Sequence, residues 1–216
     1  IVFTNTSIGK AEKVQADMAK DGLACDIYQL DVTNDEQVTE VVAKIAEKYG
    51  RIDVLINTAG IGAHSEPENY PANVVRQVVD VNLNGTIFIC REVGKVMIRQ
   101  GGGKIVNIGS IAGAFCHTYL SMPYECSKAA VHQFTRSLAV TWAKYNINVN
   151  AIAPGYMATN NTNQLRQDEE RSEEILARIP AGRWGTPADV GGAAIFLASD
   201  ASDYVNGFTI AVDGGF

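Results

Sequence analysis

Short apolar runs and amphipathic stretches alternate along the chain from its first residues to its last. The short apolar runs favour strands, and stretches with apolar residues three and four positions apart favour helices. Strands are predicted at Ile1–Phe3, Cys25–Leu30, Ile52–Ile56, Ile105–Ile108, Ile147–Ile152 and Phe208–Val212. Helices are predicted at Lys10–Asp21, from Asn34 or Asp35 to Gly50, and at Ala72–Gln100, Pro123–Tyr145, Ser172–Ile179 and Pro187–Ala198.

This alternation determines the predicted fold class. Strands that are separated by helices pair in parallel, with the helices on both faces of the sheet. We therefore expect an α/β fold, a doubly wound parallel sheet of the Rossmann type, in a single domain over residues 1–216. The continuous apolar run Ile52–Ile56 predicts a strand that is buried on both faces. Ligands of such sheets bind beyond the carboxyl ends of the strands, so the loops that follow the strands are the candidate site.

Composition narrows the class of partner. The 216 residues include 46% hydrophobic and 19% charged residues, which excludes a disordered chain. The net charge is −6 and no basic tract is present, which disfavours nucleic acid and anionic membranes as partners. No apolar run reaches the roughly 18 residues of a membrane span.

The cysteines and histidines provide no metal site. They are Cys25, Cys90, Cys116, Cys126, His64, His117 and His132. None of the cysteines forms a C-x-x-C pair, and the set lacks the spacing of a zinc site. Reduced thiols predict a cytoplasmic protein, and no metal is expected.

The segment Tyr124-Glu-Cys-Ser-Lys128 carries the clearest candidate chemistry. Residues four apart share one face of a helix, so the Lys128 ammonium is expected to lower the pKa of the Tyr124 phenol and to make it a general acid or base. Ser110 follows a predicted strand, where its hydroxyl could bind a substrate carbonyl oxygen. Taken singly, the Tyr–Lys pair is more typical of an ordinary surface pair, and Ser110 of a cap or turn residue.

The order of several motifs resembles the short-chain dehydrogenase/reductase family over essentially the whole chain. The motifs are Asn57-Thr-Ala-Gly60, Asn82, Ser110, Tyr124, Lys128, Pro154-Gly155 and Val212-Asp-Gly-Gly215. The resemblance implies that Tyr124 transfers the proton to or from the substrate oxygen, which Ser110 orients and polarises. It implies that Lys128 lowers the pKa of Tyr124 and holds the nicotinamide ribose, and that Asn82 anchors a water of the proton relay. The hydride chemistry belongs to the cofactor.

Other positions are implied as cofactor contacts. Asp31 and Val32 are implied on the adenine side, and Asn57, Ala59 and Gly60 along the ribose and the central strand. The contacts implied at the nicotinamide are Tyr124, Lys128, Pro154, Gly155 and Thr159. Turn chemistry is the alternative explanation for Asp31 and Asn57.

Two departures from the family pattern matter. The first strand and its glycine-rich pyrophosphate turn are absent, and Ile1–Phe3 fits the second strand of the family better. We therefore expect residues before Ile1 in the functional protein, and no stable monomeric enzyme from Ile1–Phe216 alone, because a sheet without its middle strand leaves two unpaired edges. In addition, 14 residues separate Ser110 from Tyr124, since 124 − 110 = 14, one more than is common in the family. Tyr119 cannot replace Tyr124 as the partner of a lysine four positions later, because the residue at position 123 is proline and not lysine.

The predicted second strand ends in a loop without a carboxylate, Thr4-Asn5-Thr6-Ser7. A carboxylate there would bind the ribose hydroxyls and repel a 2′-phosphate. Thr4, Asn5 and Thr6 therefore favour NADP(H), while NAD(H) stays possible because no arginine accompanies them.

The substrate is expected to be a small carbonyl or alcohol compound. The stretches 148–162 and 179–185 resemble 2-deoxy-D-gluconate 3-dehydrogenases and gluconate 5-dehydrogenases of the family, and the middle of the chain resembles sorbose reductases. Ile61–Ser65 contains no arginine for a substrate carboxylate, and Arg166 and Arg171 lie beside the mostly acidic run Asp168–Glu174. A neutral ketose or polyol, reduced with NADPH, is therefore favoured. An NAD-dependent dehydrogenase of a sugar acid and a non-catalytic dinucleotide-binding protein are the alternatives.

The predicted helices Ala72–Gln100 and Pro123–Tyr145 carry apolar residues over more than one stripe. One face is expected to meet the sheet and another a second subunit. The family resemblance implies a homotetramer.

Overall fold

The computed structural model of the protein describes residues 1–115 and 121–216. The strands are Val2–Asn5 (β1), Asp26–Gln29 (β2), Val54–Asn57 (β3), Gly103–Ile108 (β4), Ile147–Pro154 (β5) and Thr209–Val212 (β6). The α-helices are Ile8–Lys20 (α1), Asp35–Tyr49 (α2), Ala72–Val79 (α3), Gly85–Gln100 (α4), Met122–Trp142 (α5), Asn163–Gln167 (α6), Glu169–Ala177 (α7) and Pro187–Ala198 (α8). Cys116, His117 and Tyr119 lie outside the described residues.

All paired strands are parallel, which confirms the predicted α/β class. β1 pairs with β2 in one sheet, and β3, β4, β5 and β6 follow one another in a second sheet. Among the described residues, the end strands of both sheets, β1 and β2 in one and β3 and β6 in the other, each keep one edge without a pairing strand.

Helices cover both faces of the four-stranded sheet. Ile105 and Val106 are neighbours on β4 and point to opposite faces, and both are buried. Ile105 belongs to a core that includes residues of α2, α4 and α5, whereas Val106 packs with Leu197 of α8. The doubly wound arrangement therefore follows from two separate cores on the two sides of one sheet.

β3 differs from its predicted burial. Val54 and Ile56 are 36% and 45% exposed, so the expectation of a strand buried on both faces was wrong. The register pairs Ile56 with Val106, so this side of β3 is the side on which α8 packs. α8 contacts β4, β5 and β6, and it leaves the outer strand of the sheet partly uncovered.

The predicted helix Ala72–Gln100 contains a π-helical turn. α3 ends at Val79, Asp80–Asn84 form the π turn, and α4 begins at Gly85 with the backbone in the right-handed helical region throughout. A π turn inserts a residue into the helix and commonly marks a functional site. Here it contains Asn82, whose side chain is fully buried.

Local signals in the sequence account for the helix ends. Asn34 caps α2 as predicted, because its side chain accepts a hydrogen bond from the Gln37 N–H. Gly50 ends the same helix in the left-handed conformation that glycine adopts without strain. Pro123 lies in the first turn of α5, where its missing N–H costs no helix hydrogen bond. None of the helices among the described residues is both long and apolar enough to span a membrane.

Candidate active site

The candidate residues lie at the carboxyl ends of three paired strands. Asn57 is the last residue of β3, Ser110 follows β4, and Pro154 ends β5. The registers pair Asn57 with Asn107 and Ile108 with Ile152, so these ends lie along one edge of the sheet. Helix α5 brings Tyr124 and Lys128 to the same edge, since it packs against the turn Ile111–Gly113 and against β5.

Ser110 and Tyr124 form the centre of this site. The Ser110 hydroxyl lies close to the Tyr124 phenol and accepts the Ala112 N–H at 3.2 Å. Burial raises the pKa of Tyr124 because it disfavours the phenolate, and the nearby Ser110 hydroxyl opposes that rise. The two hydroxyls that the sequence analysis singled out are therefore side by side.

Lys128 is almost completely buried, at 4% exposure. Its Nζ donates a hydrogen bond to the Ile108 carbonyl at 2.7 Å and lies 5.8 Å from the centre of the Tyr124 ring. Burial lowers the pKa of Lys128 to about 8, because the ammonium form is poorly solvated there. The expectation that Lys128 lowers the pKa of Tyr124 is not met in this arrangement, in which burial of the phenol dominates.

Asn82 joins two segments of the site through its side-chain amide. Its Oδ1 accepts the Ile61 N–H at 2.8 Å, and its Nδ2 donates to the Ile61 carbonyl and to Ser127 Oγ, both at 2.9 Å. Ser127 Oγ in turn donates to the Tyr124 carbonyl at 2.7 Å. The amide thus holds the loop after β3 against α5. The resemblance implies that Asn82 anchors a water; in this structure its side chain is hydrogen-bonded to Ile61 and Ser127.

Ser127 was missed by the sequence analysis. It is 2% exposed, and its hydroxyl connects Asn82 to the backbone of Tyr124. The available signal was its position immediately before Lys128 on a helix: a small polar residue beside a buried lysine commonly forms hydrogen bonds within the protein.

The loop after β3 fits the dinucleotide that the resemblance implies. The Nδ2 of Asn57 is buried and lacks a hydrogen-bond partner among the described residues, so it is available to a bound group. A Cβ at Gly60 would lie 3.3 Å from Lys128 Nζ, which shows how closely the loop Asn57–Gly60 approaches the lysine. Ala59, between them, is half-buried.

The loop after β5 is built around a close backbone approach. The Gly155 N–H donates to the Val212 carbonyl at 2.9 Å, and a Cβ at Gly155 would come within 2.7 Å of the Asp213 side chain. Pro154 pairs with Val212 at the end of β5. Thr159 caps the short helical turn Asn160–Thr162, so its side chain serves the loop itself.

The predicted adenine-side residues, Asp31 and Val32, lie just after β2. The carboxylate of Asp31 accepts the Thr33 N–H at 2.9 Å and the Thr33 hydroxyl at 2.8 Å, which is the turn chemistry considered as its alternative role. Val32 lies against Gly85, where a Cβ would come within 2.5 Å of it. Val32 is thereby set beside the π turn that carries Asn82.

The loop Thr4–Ser7 ends β1 and is organised by its own polar groups. The Asn5 side chain accepts the Ser7 N–H at 2.9 Å, and the Thr6 carbonyl accepts a hydrogen bond from the Gln29 side chain at 2.9 Å. Thr4 and Asn5 are half-buried, and Thr6 is exposed. The loop presents hydroxyl and amide groups and carries no negative side chain.

Comparison with known proteins identifies the relatives of this chain. A family model described as enoyl-(acyl carrier protein) reductase matches residues 1–216. A 2-dehydro-3-deoxy-D-gluconate 5-dehydrogenase of Dickeya dadantii is 52% identical over 177 residues, which are 82% of this chain and 70% of that protein. An L-tagatose-forming galactitol 2-dehydrogenase of Cereibacter sphaeroides is 41% identical over 187 residues, which are 86% of this chain and 73% of that protein.

A solved structure extends the likeness to the fold. The crystal structure of a gluconate 5-dehydrogenase from Burkholderia cenocepacia, in complex with NADP and tartrate, superposes with a TM-score of 0.95. It is 36% identical, and the match covers 100% of this chain and 84% of that one. The whole-chain match, the relatives and the parallel sheet show that the chain belongs to the short-chain dehydrogenase/reductase family of NAD(P)-dependent oxidoreductases.

Proposed function

We propose that this protein interconverts a secondary hydroxyl and a ketone on a small sugar acid, with NADP(H) as cofactor. The observation that carries the proposal is the close approach of the Ser110 and Tyr124 hydroxyls beside the buried Lys128. A non-catalytic dinucleotide-binding protein has no need of this arrangement, because burial of the Lys128 ammonium costs free energy and such buried titratable groups cluster at functional sites.

Each side chain has a distinct task in this proposal. Tyr124 moves the proton at the substrate oxygen, and Ser110 donates a hydrogen bond that orients the same oxygen. Lys128 holds the ribose, and Asn82 and Ser127 keep the loop after β3 in register with α5. The dinucleotide, when bound, supplies or accepts the hydride.

The protonated Tyr124 phenol suits a proton-donating role in ketone reduction. Burial raises its pKa further above neutral, so the protonated form prevails at neutral pH. Ketone reduction needs a proton donor at the carbonyl oxygen, which this form provides. Oxidation needs the phenolate and is therefore favoured as the pH rises.

Arg166 supports a sugar acid as substrate. The sequence analysis favoured a neutral ketose because Ile61–Ser65 contains no arginine. In the structure the guanidinium of Arg166 donates to the Thr159 carbonyl at 3.3 Å, which brings a positive charge to the loop after β5. The relative from Dickeya dadantii is named for a sugar acid, and the gluconate dehydrogenase structure holds the dicarboxylate tartrate. We propose that Arg166 pairs with the substrate carboxylate.

A neutral polyol is the second candidate substrate. The relative from Cereibacter sphaeroides is named for galactitol, and the loop after β3 carries no arginine, which suits an uncharged substrate. Activity on galactitol that exceeds activity on sugar acids would favour this alternative.

We also propose that the protein is a homotetramer and that it is located in the cytoplasm. Residues 1–216 are proposed to form one catalytic domain. The large apolar residues of Ala72–Gln100 are buried or half-buried within the subunit. Large apolar side chains are exposed instead on α5, on α8 and before β6, namely Val140, Ile195, Phe196 and Phe208.

We expect sedimentation at micromolar protein to give an assembly larger than a dimer; a monomer alone would contradict the tetramer.

Replacing Tyr124 by phenylalanine tests the proton transfer. The Tyr124→Phe variant keeps the ring and removes the proton, so turnover should fall by about two to four orders of magnitude while cofactor binding is largely kept. Steady-state kinetics and cofactor titration measure the two effects. Tyr204→Phe is the matched control, because Tyr204 is fully exposed and its variant should keep wild-type turnover. Near-normal turnover of Tyr124→Phe would rule out the mechanism.

A single charge in the loop Thr4–Ser7 tests the cofactor preference. The Asn5→Asp variant keeps the oxygen that accepts the Ser7 N–H, so the loop is preserved while a carboxylate is added. This charge should shift the preference from NADP(H) toward NAD(H) by about 1–3 kcal/mol of differential binding. Wild-type kcat/KM should be higher with NADPH than with NADH. An unchanged ratio in Asn5→Asp, with Asn5→Ser as the uncharged control, would mean that this loop does not contact the 2′-phosphate.

The substrate charge is tested by comparing two arginine variants on two substrates. Arg166→Gln should raise KM for gluconate-type acids by about tenfold or more, because a charge-assisted hydrogen bond is lost, and should leave KM for galactitol unchanged. Arg171→Gln, the control on α7, should alter neither value. An effect of Arg171→Gln confined to the acids would assign the carboxylate to Arg171 and overturn the assignment to Arg166.

A further inference from the structure

His132 is a buried histidine of α5 that none of the proposed steps uses. It lies one helical turn after Lys128 and is 5% exposed. Its Nε2 accepts a hydrogen bond from the backbone N–H of Ser110 at 3.4 Å. The titratable imidazole ring of His132 therefore binds the backbone of Ser110, the residue proposed to orient the substrate oxygen.

Two glycines make room for this ring. A Cβ at Gly109 would overlap Nε2 of His132, and a Cβ at Gly113 would come within 2.9 Å of its Cε1. The loop Gly109–Gly113 thus lies directly against the imidazole. Because protein interiors are densely packed, a change in the ring is transmitted to the position of Ser110.

The surroundings keep the imidazole neutral. Burial, the Arg136 guanidinium and the Lys128 ammonium all lower the pKa of His132 from its ordinary value of 6.5. Both charges lie on α5 itself, and neither Gly109–Gly113 nor β5 carries a titratable side chain. Protonation would place a hydrogen on Nε2 facing the Ser110 N–H, so the acceptor would be lost.

We propose that His132 is a positioning residue that holds Ser110 in place through its backbone N–H, and that its protonation switches off this support at acidic pH. The inference rests on the proposed function, because its consequence is an effect on turnover. It predicts that kcat falls as the pH decreases through the lowered pKa of His132, whereas KM for the cofactor stays constant.

Two substitutions separate the acceptor from the ring. In His132→Gln the side-chain oxygen can replace Nε2 as acceptor, and in His132→Leu an apolar side chain of similar bulk leaves the Ser110 N–H without a partner. We expect His132→Leu to lose about tenfold in kcat at neutral pH and His132→Gln to keep most of it. Neither variant titrates at this position, so the acidic fall in kcat should be absent from both. Gln133→Leu, on the exposed side of the same helix, should behave as wild type.

The results decide the proposal in both directions. Equal kcat in His132→Leu, His132→Gln and wild type would overturn it, as would equal losses in the two variants. An acidic fall in kcat that persists in His132→Gln would overturn the switch.

A second measurement keeps this test separate from the proposed function. If wild type is inactive on all sugar acids and polyols, the proposed function fails, and hydrogen exchange of the Ser110 amide, followed by NMR, then decides the contact. Protection in wild type and His132→Gln that is lost in His132→Leu supports the positioning role. Equal protection in all three proteins overturns it.

Discussion

The site depends on the close contact between helix α5 and the loop after β4. Side chains at Gly109 and Gly113 have no room, because the helix backbone and the His132 ring occupy that space. This contact brings the Ser110 hydroxyl to Tyr124 and removes Lys128 from solvent. A larger residue at either glycine would separate the two elements and move Ser110 away from Tyr124 and Lys128.

Burial then sets the protonation states. The same exclusion of water raises the pKa of Tyr124 and lowers those of Lys128 and His132, because in each case the charged form is the one that loses solvation. The polar groups compensate through hydrogen bonds to the backbone and to one another, and Ser127 receives one from Asn82. The buried Nδ2 of Asn57 is the exception among the described cofactor-side groups, and it lies where the dinucleotide is proposed to bind.

The π turn is the second local feature that shapes the site. It inserts a residue between α3 and α4, so Asn82 points inward toward Ile61 while α4 continues its packing against α2. Gly85 at the start of α4 allows Val32 to approach. A regular helix over Ala72–Gln100, as the periodicity predicted, would rotate the residues that follow Asn82 relative to the sheet.

The element order and the parallel α/β class could be predicted from the amino-acid sequence, as could the position of Ser110 after a strand and of Tyr124 and Lys128 on one helix face. Periodicity, caps such as Asn34 and the order of motifs are local properties, which the chain carries without its fold. The exposure of Val54 and Ile56 and the hydrogen bonds made by Ser127 and His132 could be found only in the folded structure. The direction of the Tyr124 pKa shift was also decided there. These features depend on which distant segments meet and exclude water, and spacing along one element contains no information about that.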